Sequence, residues 1–171
     1  MISTRPIAPH EWAPYRDLRL QALRDAPHAF GSTWEAEAKR ADESWSTQIT
    51  SATSGEMDLP LFAFNEAQAC GLIWCKLSAT EPGVAYIYQM WVHPAARGQG
   101  AGRALLVQAL AWAEGRGARC VRLGVTHADS PAMRLYRAHG FRPVGDIKPL
   151  REGSELMAQT MERVSSEPVA R

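Results

Sequence analysis

Three glycines and two arginines within one short stretch have the types and spacing of an anion-binding turn. The stretch runs Arg-Gly-Gln-Gly-Ala-Gly-Arg from Arg97 to Arg103, and it follows an apolar run that ends at Val92. Because glycine lacks a side chain, backbone N–H groups around Gly98, Gly100 and Gly102 can approach a phosphate closely. An amphipathic helix pattern begins directly afterwards, and a helix N-terminus adds unpaired donors and a positive dipole end.

Two common phosphate-binding motifs do not match this stretch. A P-loop ends in Gly-Lys-Ser/Thr, whereas Gly102 is followed by Arg and Ala. A dinucleotide-binding turn needs a third small residue, and that position holds Arg103 or Leu105, depending on which glycine begins the motif. What remains is Arg-x-x-Gly-x-Gly, beginning at Arg97. A glycine turn that only starts a helix is the alternative interpretation.

The remaining pattern resembles the acetyl-CoA loop of the GNAT superfamily of N-acetyltransferases, which reads Gln/Arg-x-x-Gly-x-Gly/Ala after a strand. A second stretch supports the resemblance. GNAT proteins continue with a strand, a short loop that often holds Asn, and a helix that ends Leu-Tyr-x-x-x-Gly-Phe. Leu135-Tyr136 and Gly140-Phe141 match that ending, and Asp129 stands at the position often filled by Asn. The resemblance covers residues 85–144 well and the flanks only loosely.

The resemblance implies that the chain binds acetyl-CoA and, without a metal, transfers its acetyl group directly to a primary amine. Backbone N–H groups of the glycine loop would bind the pyrophosphate. Backbone groups of Met90 and Val92 would pair with pantetheine like an added strand, and a main-chain N–H near them is the candidate oxyanion donor. The implied cofactor-binding positions are Met90, Trp91, Val92, Arg97, Gly98, Gln99, Gly100, Ala101, Gly102, Arg103, Asp129 and Tyr136.

Tyr136 is the candidate general acid, because it occupies the family's position for the group that protonates the leaving sulfur. The alternative is a half-buried tyrosine that packs its helix on the sheet. The family often carries Glu on the fourth strand to help deprotonate the amine, but Tyr86 and Tyr88 stand there instead. A water relayed by Tyr88 or a carboxylate such as Glu35 could take that role. Asp129 cannot donate a hydrogen bond as Asn does, which puts its contact with pantetheine in doubt.

Phe30, Trp34 and Tyr88 are the candidate acceptor contacts. Aromatic residues in loops often line sites, although Phe30 and Trp34 could equally fill the edge of the core. The aromatic fourth strand disfavours a polycationic acceptor, so we expect a small amine or an amino acid. A protein N-terminus or lysine as acceptor, and a non-catalytic acetyl-CoA-binding module, are the alternatives.

Composition excludes several other classes of function. The chain has 171 residues, of which 46% are hydrophobic and 22% charged, and its formal net charge is +1. This balance gives no basis for a nucleic-acid or membrane partner. Cys70, Cys75 and Cys120 form no metal-ligand pair, and we expect them reduced. Since no signal peptide is visible, we expect a cytoplasmic protein, with its oligomeric state open and a homodimer among the options.

Alternating strand and helix patterns predict one domain over residues 1–164, with residues 165–171 as a flexible C-terminal tail. The predicted strands are 2–7, 59–64, 70–77, 85–92, 119–125, 141–144 and 155–163. Helices are predicted at 11–24, at 101–114, at 130–139 and within 34–52, the last with Asp42 as its cap. The fold class is α/β (α+β): one twisted, mostly antiparallel sheet of about seven strands with helices on both faces. The resemblance implies that the strands around Val92 and Arg119 are parallel and splay apart.

Overall fold

The computed structural model describes residues 1–165. Its strands are β1 (Ile2–Pro6), β2 (Asp58–Asn65), β3 (Gln68–Leu77), β4 (Val84–Val92), β5 (Cys120–Thr126), β6 (Arg142–Pro149) and β7 (Met157–Val164). Its α-helices are α1 (Trp12–Asp25), α2 (Trp34–Ala38), α3 (Asp42–Ser54), α4 (Ala101–Gly115) and α5 (Pro131–Ala138). Short 3-10 turns lie at Pro9–Glu11 and Pro94–Ala96. None of the helices in this part of the chain has the length and apolarity needed to cross a bilayer.

The strands form a single sheet in the order β1-β2-β3-β4-β5-β7-β6. Every neighbouring pair is antiparallel except β4 and β5, which confirms the predicted mixed, mostly antiparallel sheet. The parallel pairing begins at Val84–Cys120 and stops at Ile87–Leu123, although β4 continues to Val92. The two strands therefore splay apart towards their carboxyl ends, as expected from the resemblance.

A bulge in β4 accompanies this divergence. Leu72 and Trp74 of β3 pair with Trp91 and Tyr88 of β4, so β4 carries one more residue than β3 across this interval. Gln89 lies in the bulge with a φ of 61°, in the left-handed region that few residues other than glycine adopt. A bulge bends its strand and increases the local twist, which turns the end of β4 away from β5.

Helices cover both faces of the sheet, and each face has its own core. On one face α4 buries an apolar stripe at helical spacing, formed by Leu105, Leu106, Ala109, Leu110 and Ala113, and α5 adds Met133 and Tyr136. On the other face α1 and α3 bury Tyr15, Leu18, Trp45 and Ile49 against Phe62 and Trp74. Trp45 and Ile49, four residues apart on α3, are both fully buried in this second core.

The pattern predicted within 34–52 forms two helices, and Asp42 is not a cap. Residues 39–41 separate α2 from α3, and the N-cap residue of α3 is Ala41, which makes no side-chain cap. Arg40 explains the break, because its guanidinium donates to Glu37 of α2 and Gln48 of α3. It also lies 3.9 Å from the centroid of a Trp45 ring. Tertiary packing of one arginine here overrides a continuous helical periodicity.

The last hairpin is longer than its sequence pattern indicates. β6 extends to Pro149 through a register shift between Val144 and Lys148, where Gly145 has a φ of 69°. Ser165 of the predicted tail donates its backbone N–H to Arg119 O over 2.8 Å. The rest of that predicted tail, residues 166–171, lies outside the described residues.

Candidate active site

The edge of β4 beyond Ile87 borders an open gap in the sheet. β5 remains paired with β7 as far as Thr126–Ala158, so the gap opens on the β4 side of β5. Backbone groups along an unpaired strand edge can bind an extended ligand as an additional strand. Met90, Trp91 and Val92, the predicted pantetheine contacts, all lie on the part of β4 that β5 does not pair with.

The glycine loop begins α4 without any side chain to cap it. Gly100 is the N-cap residue with a φ of 90°, and no side chain bonds to the first turn. Gly98 also has positive φ, 79°, and at both glycines no heavy atom lies within 4 Å of where a Cβ would stand. The N–H groups of Ala101, Gly102 and Arg103 have no partner within the helix. Open backbone donors at a helix N-terminus suit a phosphate.

Gly102 serves packing rather than loop conformation. A Cβ at this position would lie 3.4 Å from Leu135 Cδ2, 3.6 Å from Met90 Cε and 3.8 Å from Val92 Cγ2. The first turn of α4 therefore contacts both α5 and the end of β4 through this glycine. A larger side chain would separate the three elements that surround the gap.

Arg97 is anchored, so its guanidinium is not a free charge in the loop. Its Nε donates to Val92 O over 2.9 Å, and its Nη2 donates to Asp25 Oδ2 over 2.7 Å. The same carboxylate oxygen accepts from Trp91 Nε1 over 2.9 Å. These bonds from Trp91 and Arg97 hold the pKa of Asp25 below its ordinary value. The end of α1, the end of β4 and the glycine loop thus meet at Asp25, which no sequence pattern marks.

Of the remaining predicted residues, Ala101 is buried in the core, whereas Gln99, Arg103 and Asp129 are exposed. Arg103 projects from the first turn of α4, while Gln99 accepts a hydrogen bond from Asn65 over 3.2 Å. Asp129 pairs with Arg134 at 3.0 Å. It does not cap α5, because Ser130 is the N-cap residue and accepts from Met133 N.

Tyr136 lies in the core between α5 and the sheet. It is 5% exposed, and its ring packs edge-on against Phe141 at a centroid distance of 5.8 Å. Burial raises the pKa of its hydroxyl above the ordinary value, so the group stays protonated at neutral pH. Both the packing role and the acid role are compatible with this position.

Tyr15 and Gly71 support the bulge from either side. The Tyr15 hydroxyl donates to Gln89 Oε1 over 2.7 Å, and burial raises the pKa of Tyr15 to about 12. Gly71 pairs with Val92, and a Cβ there would lie 2.8 Å from Trp91 O. Only glycine accommodates that backbone approach. A glycine inside a strand pattern is the sequence signal that could have located the bulge.

Tyr88 lines a cleft of about 520 Å³ between α3 and the strands, here called the strand cleft. Its side chain is 48% exposed and stacks on Tyr86 with ring centroids 6.1 Å apart. Asp58 and Lys76 also line the cleft, and Asp58 Oδ1 accepts from Trp74 Nε1 over 2.8 Å. The cleft therefore holds a carboxylate that the fourth strand lacks.

Trp34 lines a second cavity of about 450 Å³, here called the flap cavity, together with Arg24, Glu35 and Arg151. Phe30 is different. It is 7% exposed and belongs to the core beneath α1 and α3, which favours the packing interpretation of its side chain. Its role towards an acceptor stays a prediction.

The comparison with known families agrees with this geometry. The model of the acetyltransferase (GNAT) family matches residues 12–141, a span that includes β4, the glycine loop and α5. The chain belongs to the GNAT acetyltransferase family. The resemblance seen in the two sequence motifs is thereby confirmed.

Relatives of this GNAT chain include two proteins named mycothiol acetyltransferase. The one from Acidothermus cellulolyticus is 29% identical over 141 residues, covering 75% of this chain and 40% of the relative. The one from Thermobispora bispora is 32% identical over 130 residues, covering 72% of this chain and 40% of the relative. The chain spans about two fifths of the length of these relatives.

A solved acetyltransferase structure has the same fold as this chain. The structure of yncA from Salmonella typhimurium, solved with its cofactor acetyl-CoA, superposes with a TM-score of 0.79 at 16% identity. The superposition covers 100% of this chain and 98% of that chain. It confirms the predicted fold class.

We expect Asp25→Asn to loosen the glycine loop. The substitution removes the charge that holds Arg97, so backbone hydrogen exchange at residues 97–102 should accelerate and the protein should be less stable. Because the fold lowers the Asp25 pKa below its ordinary 3.8, this stabilisation is present above that pH and is lost as pH falls through the folded-state pKa. The stability difference between wild type and variant should therefore shrink in acid.

Asp17→Asn is the matched control for this substitution. Asp17 also pairs with an arginine, Arg16 at 3.0 Å, but it is exposed on α1 and away from the loop. We expect no change in loop exchange for this variant. Equal loop exchange in Asp25→Asn and wild type would show that Asp25 does not anchor the loop.

Proposed function

We propose that the chain is an acetyl-CoA-dependent N-acetyltransferase that transfers acetyl directly to the amine of a small molecule or an amino acid. The observation that carries the proposal is the uncapped glycine loop at the end of the splayed edge of β4. The relatives are named mycothiol acetyltransferases, which supports a small-molecule acceptor. Acetyl-CoA supplies the acetyl thioester, and the chain's own residues bind, orient and move protons.

The loop and the strand edge divide the binding of the cosubstrate between them. Backbone N–H groups of residues 98–103 would hold the pyrophosphate, since no side chain occupies that helix end. The unpaired edge of β4 would hold the pantetheine arm. Val92 O already accepts from Arg97, so Met90 carries more of this pairing than the sequence alone suggested, whereas Trp91 O faces Gly71 of β3. Asp25 contributes indirectly by fixing Arg97.

The fourth strand supplies no carboxylate to deprotonate the amine. Tyr88 stays protonated at neutral pH, because burial and its neighbour Tyr86 raise its pKa, and it could relay a water. Asp58 in the strand cleft and Glu35 in the flap cavity are the nearby carboxylates that line cavities. Tyr136 would hold the proton that the departing sulfur takes.

We expect acetyl-CoA to raise the melting temperature of the protein, while NAD and ATP do not. Gly100→Asp should abolish this effect, because it places a side chain and a negative charge where the pyrophosphate would bind, at a φ of 90°. Gly117→Asp is the control, since Gly117 has a φ of 86° and open surroundings but lies beyond the end of α4. If both variants bound acetyl-CoA as wild type does, the loop would not be the phosphate site.

We expect Tyr136→Phe to lower kcat by roughly 10²–10⁴-fold, the usual contribution of general acid catalysis. The variant removes one hydroxyl and keeps the ring against Phe141, so the fold and the affinity for acetyl-CoA should change little. Steady-state kinetics beside calorimetry of acetyl-CoA binding separate the two effects. Full kcat in the variant would make Tyr136 a packing residue.

We expect turnover to rise with pH through the range in which the free acceptor amine becomes neutral, because the fourth strand supplies no carboxylate base. The pH profile should shift with the pKa of the amine when a series of acceptors is compared. A screen of amines and peptides by release of the free CoA thiol provides the acceptors. A plateau near pH 6 with an amine of much higher pKa would indicate a dedicated base.

A further inference from the structure

The flap cavity is lined by more positive than negative charge. Arg24 and Arg151 contribute two guanidinium groups, and Glu35 contributes one carboxylate. Within residues 1–165, neither arginine is paired with a carboxylate. Two unneutralised arginines around a volume of about 450 Å³ match the size and charge of a small anionic ligand.

Both guanidinium groups are held in place without losing their charge. The Arg24 guanidinium carbon lies 4.2 Å from the centroid of a Trp34 ring. Arg151 Nη1 donates to Phe30 O over 2.8 Å, which leaves its other donors available. Arginines fixed by an aromatic ring or a carbonyl lose little freedom on binding a carboxylate or phosphate, which they contact through paired N–H groups.

The loop that carries the flap cavity is bonded to both strands that border the gap. Asp25, the residue after Arg24, bonds to Trp91 and Arg97. Further along the loop, His28 O accepts from the Thr126 hydroxyl at the end of β5. The loop that carries the cavity therefore bridges the splayed ends of both strands. A small molecule held in the cavity would have its other end near the unpaired edge of β4.

A third arginine, Arg19 on α1, is buried against Phe30 with an unsatisfied donor. Arg19 is 5% exposed, and its guanidinium carbon is 4.6 Å from the centroid of the Phe30 ring. Its Nη1 is buried without a hydrogen-bond partner in residues 1–165. A buried and unpaired charge destabilises a fold. The charge of Arg19 also adds positive potential behind Phe30, whose carbonyl oxygen accepts the hydrogen bond from Arg151.

We propose that the flap cavity binds an anionic group of the acceptor, a carboxylate or a phosphoryl group, while the acceptor's amine points to the gap. Arg24 and Arg151 would contact the anion, and Arg19 would strengthen their field from below. This inference rests on the proposed acetyltransferase function and narrows its acceptor to amines that carry a negative charge. Trp34 thereby acquires a defined role, which is to orient Arg24.

Matched acceptors test the proposal by kinetics. Leucine, leucinamide and the aminophosphonate analogue of leucine share a side chain and differ in the charged group. We expect kcat/KM, calculated per concentration of neutral amine because the three amines differ in pKa, to be about ten- to hundredfold higher for leucine or the phosphonate than for leucinamide, the range for hydrogen bonds to a charged group. Whichever of leucine and the phosphonate has the higher kcat/KM shows whether the cavity prefers a carboxylate or a phosphoryl group. Equal kcat/KM for all three would overturn the proposal.

Arg24→Gln should remove most of this preference by lowering kcat/KM for the anionic acceptors while that for leucinamide stays within about threefold. Arg116→Gln is the matched control, because Arg116 also lies over a tryptophan, 5.4 Å from Trp112, but at the far end of α4. The control should keep the full preference. An equal loss for charged and uncharged acceptors in Arg24→Gln would mean that Arg24 only supports the fold.

A binding experiment separates failure of this inference from failure of the proposed function. Calorimetry of N-acetylleucine and N-acetylleucinamide with the CoA-saturated protein requires no turnover. We expect only the carboxylate to bind measurably, and Arg24→Gln to abolish that binding. Absence of turnover with every amine, together with selective binding of N-acetylleucine, would reject the enzyme activity and keep the anion site. Equal binding of the two compounds, or binding of neither, would overturn the anion site.

Arg19→Met tests the supporting role of the third arginine. Methionine fills a similar volume without a charge, so the melting temperature should stay the same or rise while the preference for an anionic acceptor falls. A lower melting temperature with an unchanged preference would show that Arg19 serves the core alone.

Discussion

The divergence of β4 from β5 after Ile87 is the physical constraint on which the site depends. A continuous parallel ladder would satisfy the backbone of both strands and leave no room for an extended ligand. The bulge at Gln89 breaks that continuity by inserting one residue into β4. Gly71 permits the distortion, because any side chain there would meet Trp91 O at 2.8 Å. One unfavourable backbone conformation thus provides an open edge in the middle of a sheet.

The elements around the gap are tied together by a few contacts. On one side Asp25 joins the end of α1 to Trp91 and to the glycine loop. On the other side Gly102 lets α4 approach Leu135 of α5 and the end of β4. Asp25 directly follows Arg24 of the flap cavity, so the cavity and the glycine loop are linked through adjacent residues of α1.

The sequence predicted those features whose cause is local. Seven consecutive residues, 97–103, and their flanks predict the glycine turn, the strand before it and the amphipathic helix after it. The alternation in β5 and the stripe of α4 likewise follow from periodicity. The parallel pairing of β4 with β5 and the divergence of these strands were predicted from the family resemblance, because no local sequence pattern indicates them.

Features caused by contacts between distant residues were not predictable in this way. Asp25 meets Arg97 across 72 positions of the chain, and nothing near Asp25 indicates the contact. Arg19 falls on the buried face of α1, where periodicity predicts an apolar side chain. A buried arginine in such a stripe is the kind of exception that marks function more often than packing.

The positive charge of the flap cavity also bears on the missing base. An amine must lose its proton before it attacks a thioester, and the fourth strand offers tyrosines where a carboxylate is frequent. Neighbouring positive charges lower the pKa of an ammonium group, because they disfavour its charged form. The arginines that would bind the acceptor's anion would therefore also make its amine easier to deprotonate. A carboxylate base close to the amine would raise the pKa of the ammonium group, although it would also accept the proton. If the flap cavity binds the acceptor as proposed, its arginines would assist both recognition of the anion and loss of the amine's proton.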